Sequence, residues 1–175
     1  MNKEIERKFL VQVSRIPFKM EEMEYGDIIQ GYISSIDKTF TFRIRQTLHM
    51  TPDKVKIDEH YTQTIKSKGD KVRDEYEIEL DREQFSVIWR LCNNDSVHKK
   101  RYKLPVGSHT IELDVYKNEL DGLYTVEVEF ETEEESDNYL VPEWFGPEVT
   151  YEDSFKNVNL ALNKKIPMTL IDLSK

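Results

Sequence analysis

Residues 2–11 read Asn2-Lys3-Glu4-Ile5-Glu6-Arg7-Lys8-Phe9-Leu10-Val11, and the alternation in them decides how the rest of the chain is read. Successive side chains on a β-strand point to opposite faces, so residues two apart share a face. Glu4, Glu6 and Lys8 therefore lie together, opposite Ile5, Arg7 and Phe9. The same split recurs in seven further candidate strands, near residues 27–34, 38–48, 57–67, 72–80, 97–105, 109–117 and 123–131. Turn signals separate them: Lys68-Gly69-Asp70, Asn93-Asn94-Asp95, Pro105-Val106-Gly107 and Asp121-Gly122.

The charged faces have an unusual sign pattern. Arg43 and Arg45 face away from Phe40, Phe42 and Ile44. Arg73, Glu75, Glu77 and Glu79 oppose Val72, Asp74, Tyr76, Ile78 and Leu80. Lys99 and Arg101 oppose Tyr102 and Leu104, Glu112 and Asp114 oppose Ile111 and Leu113, and Glu127 and Glu129 oppose Val126 and Val128. Any one of these strands, taken alone, reads as half-buried with its charged face in water. A solvated face, however, usually mixes signs, because like charges close together on a sheet repel. Here the doublets carry one sign each. Clustered carboxylates suit a hard divalent cation, and clustered Arg and Lys suit a phosphate-like anion. Both together suit a metal–polyphosphate complex inside a closed sheet, charged within and apolar without. Eight strands make a barrel just wide enough for side chains or one small ligand. A conventional sandwich or barrel around an apolar core remains the alternative.

Composition fits a single domain over residues 1–175. The chain is long enough to bury a core, and its 38% hydrophobic and 34% charged residues mark a polar globular protein rather than a disordered one. The net charge of −9 argues against a nucleic-acid partner, which would call for a basic surface. No run approaches the roughly 20 apolar residues of a membrane span, and the first residues are charged where a signal peptide would be apolar. No membrane partner and a cytoplasmic location are the expectation. One cysteine, Cys92, excludes an internal disulfide.

Helices are few. Asp81 and Gln84 have capping-box spacing and start a helix that carries Phe85, Ile88, Trp89 and Cys92 on one face. Others are expected near 14–24, near 133–140 behind Glu133-Glu134-Glu135, and from about Tyr151 through Leu162 with Thr150 or Asp153 as cap. His60, His98 and His109 read as strand-surface residues.

The Glu4-x-Glu6-x-Lys8 strand resembles the signature of the CYTH superfamily, the triphosphate tunnel metalloenzymes. The resemblance extends in order through Gln30-Gly31-Tyr32, Arg43-x-Arg45, Lys66, Arg73-x-Glu75-x-Glu77, Lys99-x-Arg101-Tyr102, Glu112-x-Asp114 and Glu127-x-Glu129. Trp144-Phe145-Gly146 and Glu148-Val149-Thr150, followed by Lys156-Asn157 and Leu160-Ala161, are similar to the family's bacterial short form.

That resemblance implies a mainly β, α+β fold: a closed eight-stranded antiparallel tunnel with a charged lumen and a few outer helices. It also implies Mg²⁺ or Mn²⁺ and a small-molecule triphosphate substrate. Glu4, Glu6, Asp114, Glu127 and Glu129 are the expected metal ligands, with Glu75, Glu77 and Glu112 completing the shell or orienting water. Lys8, Arg43, Arg45, Lys66, Arg73, Lys99 and Arg101 would grip phosphate oxygens, with Tyr32 a further lumen candidate and Lys156 near a tunnel mouth. Hydrolysis of inorganic triphosphate is the leading expectation, with nucleoside triphosphates a further substrate class. An adenylyl cyclase on the same scaffold and a non-catalytic polyphosphate-binding module are the alternatives, since fold alone does not fix the reaction.

Overall fold

The first strand pairs on both sides, and that double pairing closes the sheet. In the computed structural model, which describes residues 2–33 and 40–167, β1 (Asn2–Leu10) pairs through residues 2–5 with β5 (Val72–Leu80) and through residues 5–10 with β8 (Tyr124–Phe130). The other strands are β2 (Tyr25–Ile33), β3 (Phe40–Met50), β4 (Lys56–Ser67), β6 (Ser96–Val106) and β7 (His109–Tyr116). All pairs are antiparallel, and the ring runs β1-β5-β4-β3-β2-β6-β7-β8. The eight strands match the expected ones to within two residues at each described end; Ser34 and residues 38–39, expected at strand ends, lie outside the described residues. Closure leaves no unpaired edge for another chain to extend.

The apolar faces point outward and are covered. Ile5, Phe9, Ile111, Leu113, Val126 and Val128 form one buried cluster, roofed by Ile16, Phe18, Met20, Trp144 and Phe145. Ile44 and Tyr61 pack under α1 (Arg82–Trp89) with Phe85 and Cys92. Asp81 caps α1 as expected: its carboxylate accepts from Gln84 N at 2.8 Å, and Gln84 Oε1 accepts from Asp81 N at 2.9 Å. Gly31 makes this covering possible, since a Cβ there would sit 2.7 Å from Cys92 Sγ.

The expected helix over 14–24 is instead two single 3-10 turns, Val13–Arg15 and Met20–Glu22. Pro17 lies between them, and it lacks an N–H and disfavours helix at the residue before it. α2 (Glu133–Asn138) is the acidic helix, ending two residues short of expectation and capped by Thr132, which accepts from Glu135 N at 3.1 Å. At the C-terminal end a 3-10 turn, Asp153–Phe155, precedes α3 (Asn157–Asn163). Neither Thr150 nor Asp153 caps α3. The Thr150 hydroxyl is committed elsewhere, accepting from Lys8 N at 3.0 Å and donating to Glu148 at 2.7 Å. His109 also departs from expectation: it is packed between Tyr139 and Phe130, with ring centroids 5.0 and 5.3 Å away.

Candidate active site

Strand alternation sends the charged faces inward. A cavity of about 350 Å³ is lined by Glu4, Glu6, Lys8, Tyr32, Arg43, Arg45, Lys66, Arg73, Glu75, Glu77, Arg101, Glu112, Glu127 and Glu129. Its rim carries Lys68-Gly69-Asp70 of the β4–β5 turn and Lys156-Asn157 at the start of α3. A second cavity of about 350 Å³ opens toward Glu24, His49, Met50 and Ile57. The two share Arg45, Arg101, Lys103 and Glu112 as walls, so cavities open toward both ends of the barrel and meet at these four side chains.

Like charges cluster on neighbouring strands, with Lys8 on β1, Arg73 on β5 and Arg101 on β6 interleaved among the carboxylates. Glu112, Glu127, Glu129, Glu4 and Glu6 come from the adjacent strands β7, β8 and β1. Arg43, Arg45 and Lys66 come from β3 and β4, and β3 stands opposite β8 in the ring. Arg73 and Lys66 reach back to Glu4, and Arg73 also to Glu6. Lys8 Nζ lies 3.1 Å from Glu127 Oε1. Arg43 donates to Thr64 Oγ1 at 2.7 Å and to Glu77 Oε2 at 3.2 Å.

Each side of the tunnel holds excess like charge. Burial, reinforced by Glu4 and Glu127, pushes Glu6 up to about 7. Burial with Glu112, Glu4 and Glu127 raises Glu129 as well. Across the lumen, burial with Arg43 and Arg101 pushes the Arg45 guanidinium down to about 10. Glu4 and Glu127 overcome their burial and are held low, the first by Lys66 and Arg73, the second by Lys8, Arg101 and Lys99.

Two expected site residues stand apart. Asp114 and Lys99 are wholly buried and line neither cavity. Lys99 Nζ is 2.5 Å from Asp114 Oδ2, and Arg101 takes both Asp114 oxygens at 2.7 and 2.6 Å. Burial, with Arg101 adding to it, pushes the Lys99 amine down to about 7. The pair underlies Arg101 rather than facing the lumen.

Further residues support or line the lumen, of which Tyr116 and Lys103 were not among the expected site residues. Tyr116 shares the face of Glu112 and Asp114; its hydroxyl accepts from Lys8 Nζ at 3.5 Å and donates to Asn157 Oδ1 at 2.6 Å. Gln30 holds Tyr32, donating to its hydroxyl at 2.7 Å and accepting from Arg45 Nε at 3.1 Å. Lys103 continues the Lys99–Arg101 alternation and could have been read from it. Lys156 lies at the mouth, its amine on Asp70 and 2.7 Å from Asp153.

The profile of the CYTH domain family matches residues 2–141. This chain belongs to the CYTH domain family. Among its CYTH relatives, an inorganic triphosphatase of Nitrosomonas europaea is 38% identical over 162 residues, covering 91% of this chain and 97% of that protein. An inorganic triphosphatase of Acetivibrio thermocellus is 32% identical over 165 residues, covering 93% and 96%. The crystal structure of the inorganic triphosphatase NE1496 superposes with a TM-score of 0.63 at 34% identity, covering 95% of this chain and 98% of the other. A putative adenylate cyclase of Bacillus halodurans shares the fold at 16% identity, with a TM-score of 0.56 and full coverage of both chains.

The CYTH tunnel has the donor set for a hard divalent cation. Glu4 Oε2 is buried without a hydrogen bond, with Arg73 Nη2 3.1 Å away, and burial together with neighbouring carboxylates makes Glu6 and Glu129 hold protons more tightly than usual. Oxygen ligands of this kind suit Mg²⁺, Mn²⁺ or Ca²⁺ rather than a soft metal.

Proposed function

We propose that this protein, as a single CYTH tunnel domain over residues 1–175, is a divalent-metal-dependent inorganic triphosphatase. In the proposed reaction water adds across a terminal phosphoanhydride of inorganic triphosphate and yields pyrophosphate and phosphate. One observation carries the reading: buried Glu6 on β1 and Glu129 on β8 are crowded by neighbouring carboxylates, while across the same lumen buried Arg45 on β3 is crowded by Arg43 and Arg101. A cation chelated by a polyanion relieves both kinds of crowding at once. A cation alone or an anion alone relieves one.

In this proposal Glu4, Glu6, Glu127 and Glu129 hold Mg²⁺ or Mn²⁺, which when bound neutralises phosphate charge and polarises a phosphoryl oxygen. Arg43, Arg45, Lys66, Arg73, Arg101 and Lys8 bind the remaining oxygens and fix the chain of phosphates along the tunnel. Burial works against the Lys8 ammonium, but Tyr116, Glu127 and Asp114 outweigh it, so Lys8 stays charged. Glu75, Glu77 and Glu112 are the candidates to orient water. Phosphoryl transfer needs such positioning and charge neutralisation more than covalent help from the protein. Asp114 and Lys99 act in this scheme by holding Arg101.

The relatives named inorganic triphosphatase support this substrate. Neither tryptophan faces either cavity, Trp89 stacking on Phe85 along α1 and Trp144 packing on Phe18 and Phe145; the aromatic residues that line the main cavity include Tyr32, Phe40 and Phe155. Chromatography of products from inorganic triphosphate and from ATP, with Mg²⁺ and with Mn²⁺, tests the proposal. Pyrophosphate plus phosphate should form, with higher kcat/KM than for ATP, and ATP turnover should give ADP. Cyclic AMP and pyrophosphate as the main products of ATP would overturn it.

A further inference from the structure

We propose that His49, Asp58 and His60 form a binding site for a borderline divalent transition metal, with Zn²⁺ as its representative, at the second mouth of the tunnel. The three ligand atoms lie within 4.8 Å of one another. The sheet register brings them there. His49 on β3 is paired with Asp58 on β4, and Thr47 with His60, so the three side chains share the face that carries Arg43 and Arg45 deeper in the barrel. His49 lines the second cavity.

The geometry suits ligation better than hydrogen bonding. Asp58 Oδ1 stands 3.5 Å from His60 Nε2 and 3.8 Å from His49 Nε2, at or beyond hydrogen-bond reach. Metal–ligand bonds of about 2.0–2.1 Å in a tetrahedron set neighbouring ligand atoms about 3.3–3.4 Å apart. Both separations are within a few tenths of an ångström of that, and the two imidazoles meet edge to face with centroids 5.3 Å apart. The side chains are about half exposed, 46% for His49, 54% for His60 and 51% for Asp58, so a cation can enter and keep water in a fourth position.

Ligand chemistry separates this site from the lumen. Imidazole favours Zn²⁺, Cu²⁺ and Ni²⁺, whereas the carboxylate oxygens of the lumen favour Mg²⁺ and Mn²⁺. The site joins two strands beside the β3–β4 turn, where the pairing shifts register between His49 and Met50. A metal there clips that end of the hairpin.

Calorimetric titration of the full chain with Zn²⁺ in excess Mg²⁺ tests this, with Co²⁺ absorption as a report of ligand geometry. One Zn²⁺ should bind the wild type, and Co²⁺ should show the visible bands of a low-coordinate nitrogen–oxygen site. His49→Asn and His60→Asn should each weaken Zn²⁺ by at least about tenfold, since even loss of a supporting contact to a ligand costs that much. Glu4→Gln/Glu6→Gln, which alters the lumen alone, should leave Zn²⁺ binding unchanged. Unaltered metal-free melting of the two histidine variants guards against misfolding. Zn²⁺ binding that survives in His49→Asn/His60→Asn, or disappears in Glu4→Gln/Glu6→Gln, overturns the proposal, as does a wild type that binds no Zn²⁺.

Discussion

Arg101 and Asp114 are register partners on β6 and β7, and the guanidinium grips both oxygens of the carboxylate, at 2.7 and 2.6 Å. Asp114 is wholly buried, and Lys99 adds a second contact to its Oδ2 at 2.5 Å, so both oxygens are engaged by cations beneath the lumen. Against burial, Arg101 and Lys99 together hold the Asp114 carboxyl below its usual range. The guanidinium then extends to Glu127 at 2.6 Å and to Glu112, so Asp114 fixes the angle at which Arg101 enters the tunnel.

Asp114→Asn should therefore behave as loss of a positioning residue. It should lower stability by about 3–5 kcal/mol, the usual result of removing one partner of a buried pair. Enzyme that remains folded should show a raised KM for triphosphate and an unchanged Mg²⁺ midpoint, both read from initial rates. A shifted Mg²⁺ midpoint with KM preserved would restore Asp114 to the metal shell.

Glu129 and Arg45 should separate by metal titration. Glu129→Gln replaces a carboxylate with an amide, a poorer ligand for a hard cation, so excess Mn²⁺ should recover part of the lost turnover. Arg45→Ala removes a planar, fork-like donor to phosphate that no cation concentration replaces. Superimposable Mn²⁺ titration curves for the two variants would refute this division.

What the sequence disclosed depended on period. Strand alternation needs only side chains two apart, so Glu4, Glu6, Arg43, Arg45, Glu127 and Glu129 could all be assigned to one lumen before any pairing was known. Depth is a different matter. Asp114 lies on the same strand face as Glu112, yet only Glu112 reaches the cavity, because Asp114 is screened by Arg101 and Lys99 from the neighbouring strand. Such a distinction arises from the register between strands, which alternation within one strand does not encode. Tyr116 was hidden for another reason. An aromatic residue at a strand end reads as packing, and its bonds to Lys8 and Asn157 depend on contacts more than 40 residues away, at separations of 108 and 41. The C-terminal segment is similar: Gly146 N donates to Leu10 O at 2.8 Å and Val149 N to Lys8 O at 2.8 Å, and with the Arg7–Glu148 ion pair and the Thr150 hydroxyl on Lys8 N these long-range bonds dock residues 145–150 along β1.

Ligand binding should stabilise the barrel strongly. A ligand that binds only the folded state adds RT ln(1 + [L]/Kd), about 2.7 kcal/mol at a hundredfold excess over Kd. For a chain of this size that corresponds to a rise in Tm of roughly 5–10 °C. Triphosphate with Mg²⁺ should produce it, by scanning fluorimetry, and neutral sugars should not. An unmoved transition at millimolar triphosphate and Mg²⁺ would mean that the lumen is not the binding site.

Glu6 should make metal binding and stability depend on pH in opposite senses. Burial and the repulsion of Glu4 and Glu127 lift it from 4.5 to about 7 in the folded protein. Between those values the folded state binds more protons than the unfolded chain, so the Glu6 contribution to stability falls as pH rises through that window. Glu6→Gln is neutral throughout and has no such slope. In the absence of metal, wild type should therefore lose Tm relative to Glu6→Gln as pH goes from about 5 to about 8, and a constant difference would sink the assignment. A divalent cation competes for the same carboxylate, so it must displace the proton when it binds below about pH 7. Mg²⁺ affinity should rise with pH up to about 7 and then level off. Calorimetry at pH 6 in two buffers of different ionisation enthalpy reads the proton released per metal bound. Equal heats in the two buffers would show that Glu6 is already ionised, or that the metal binds elsewhere.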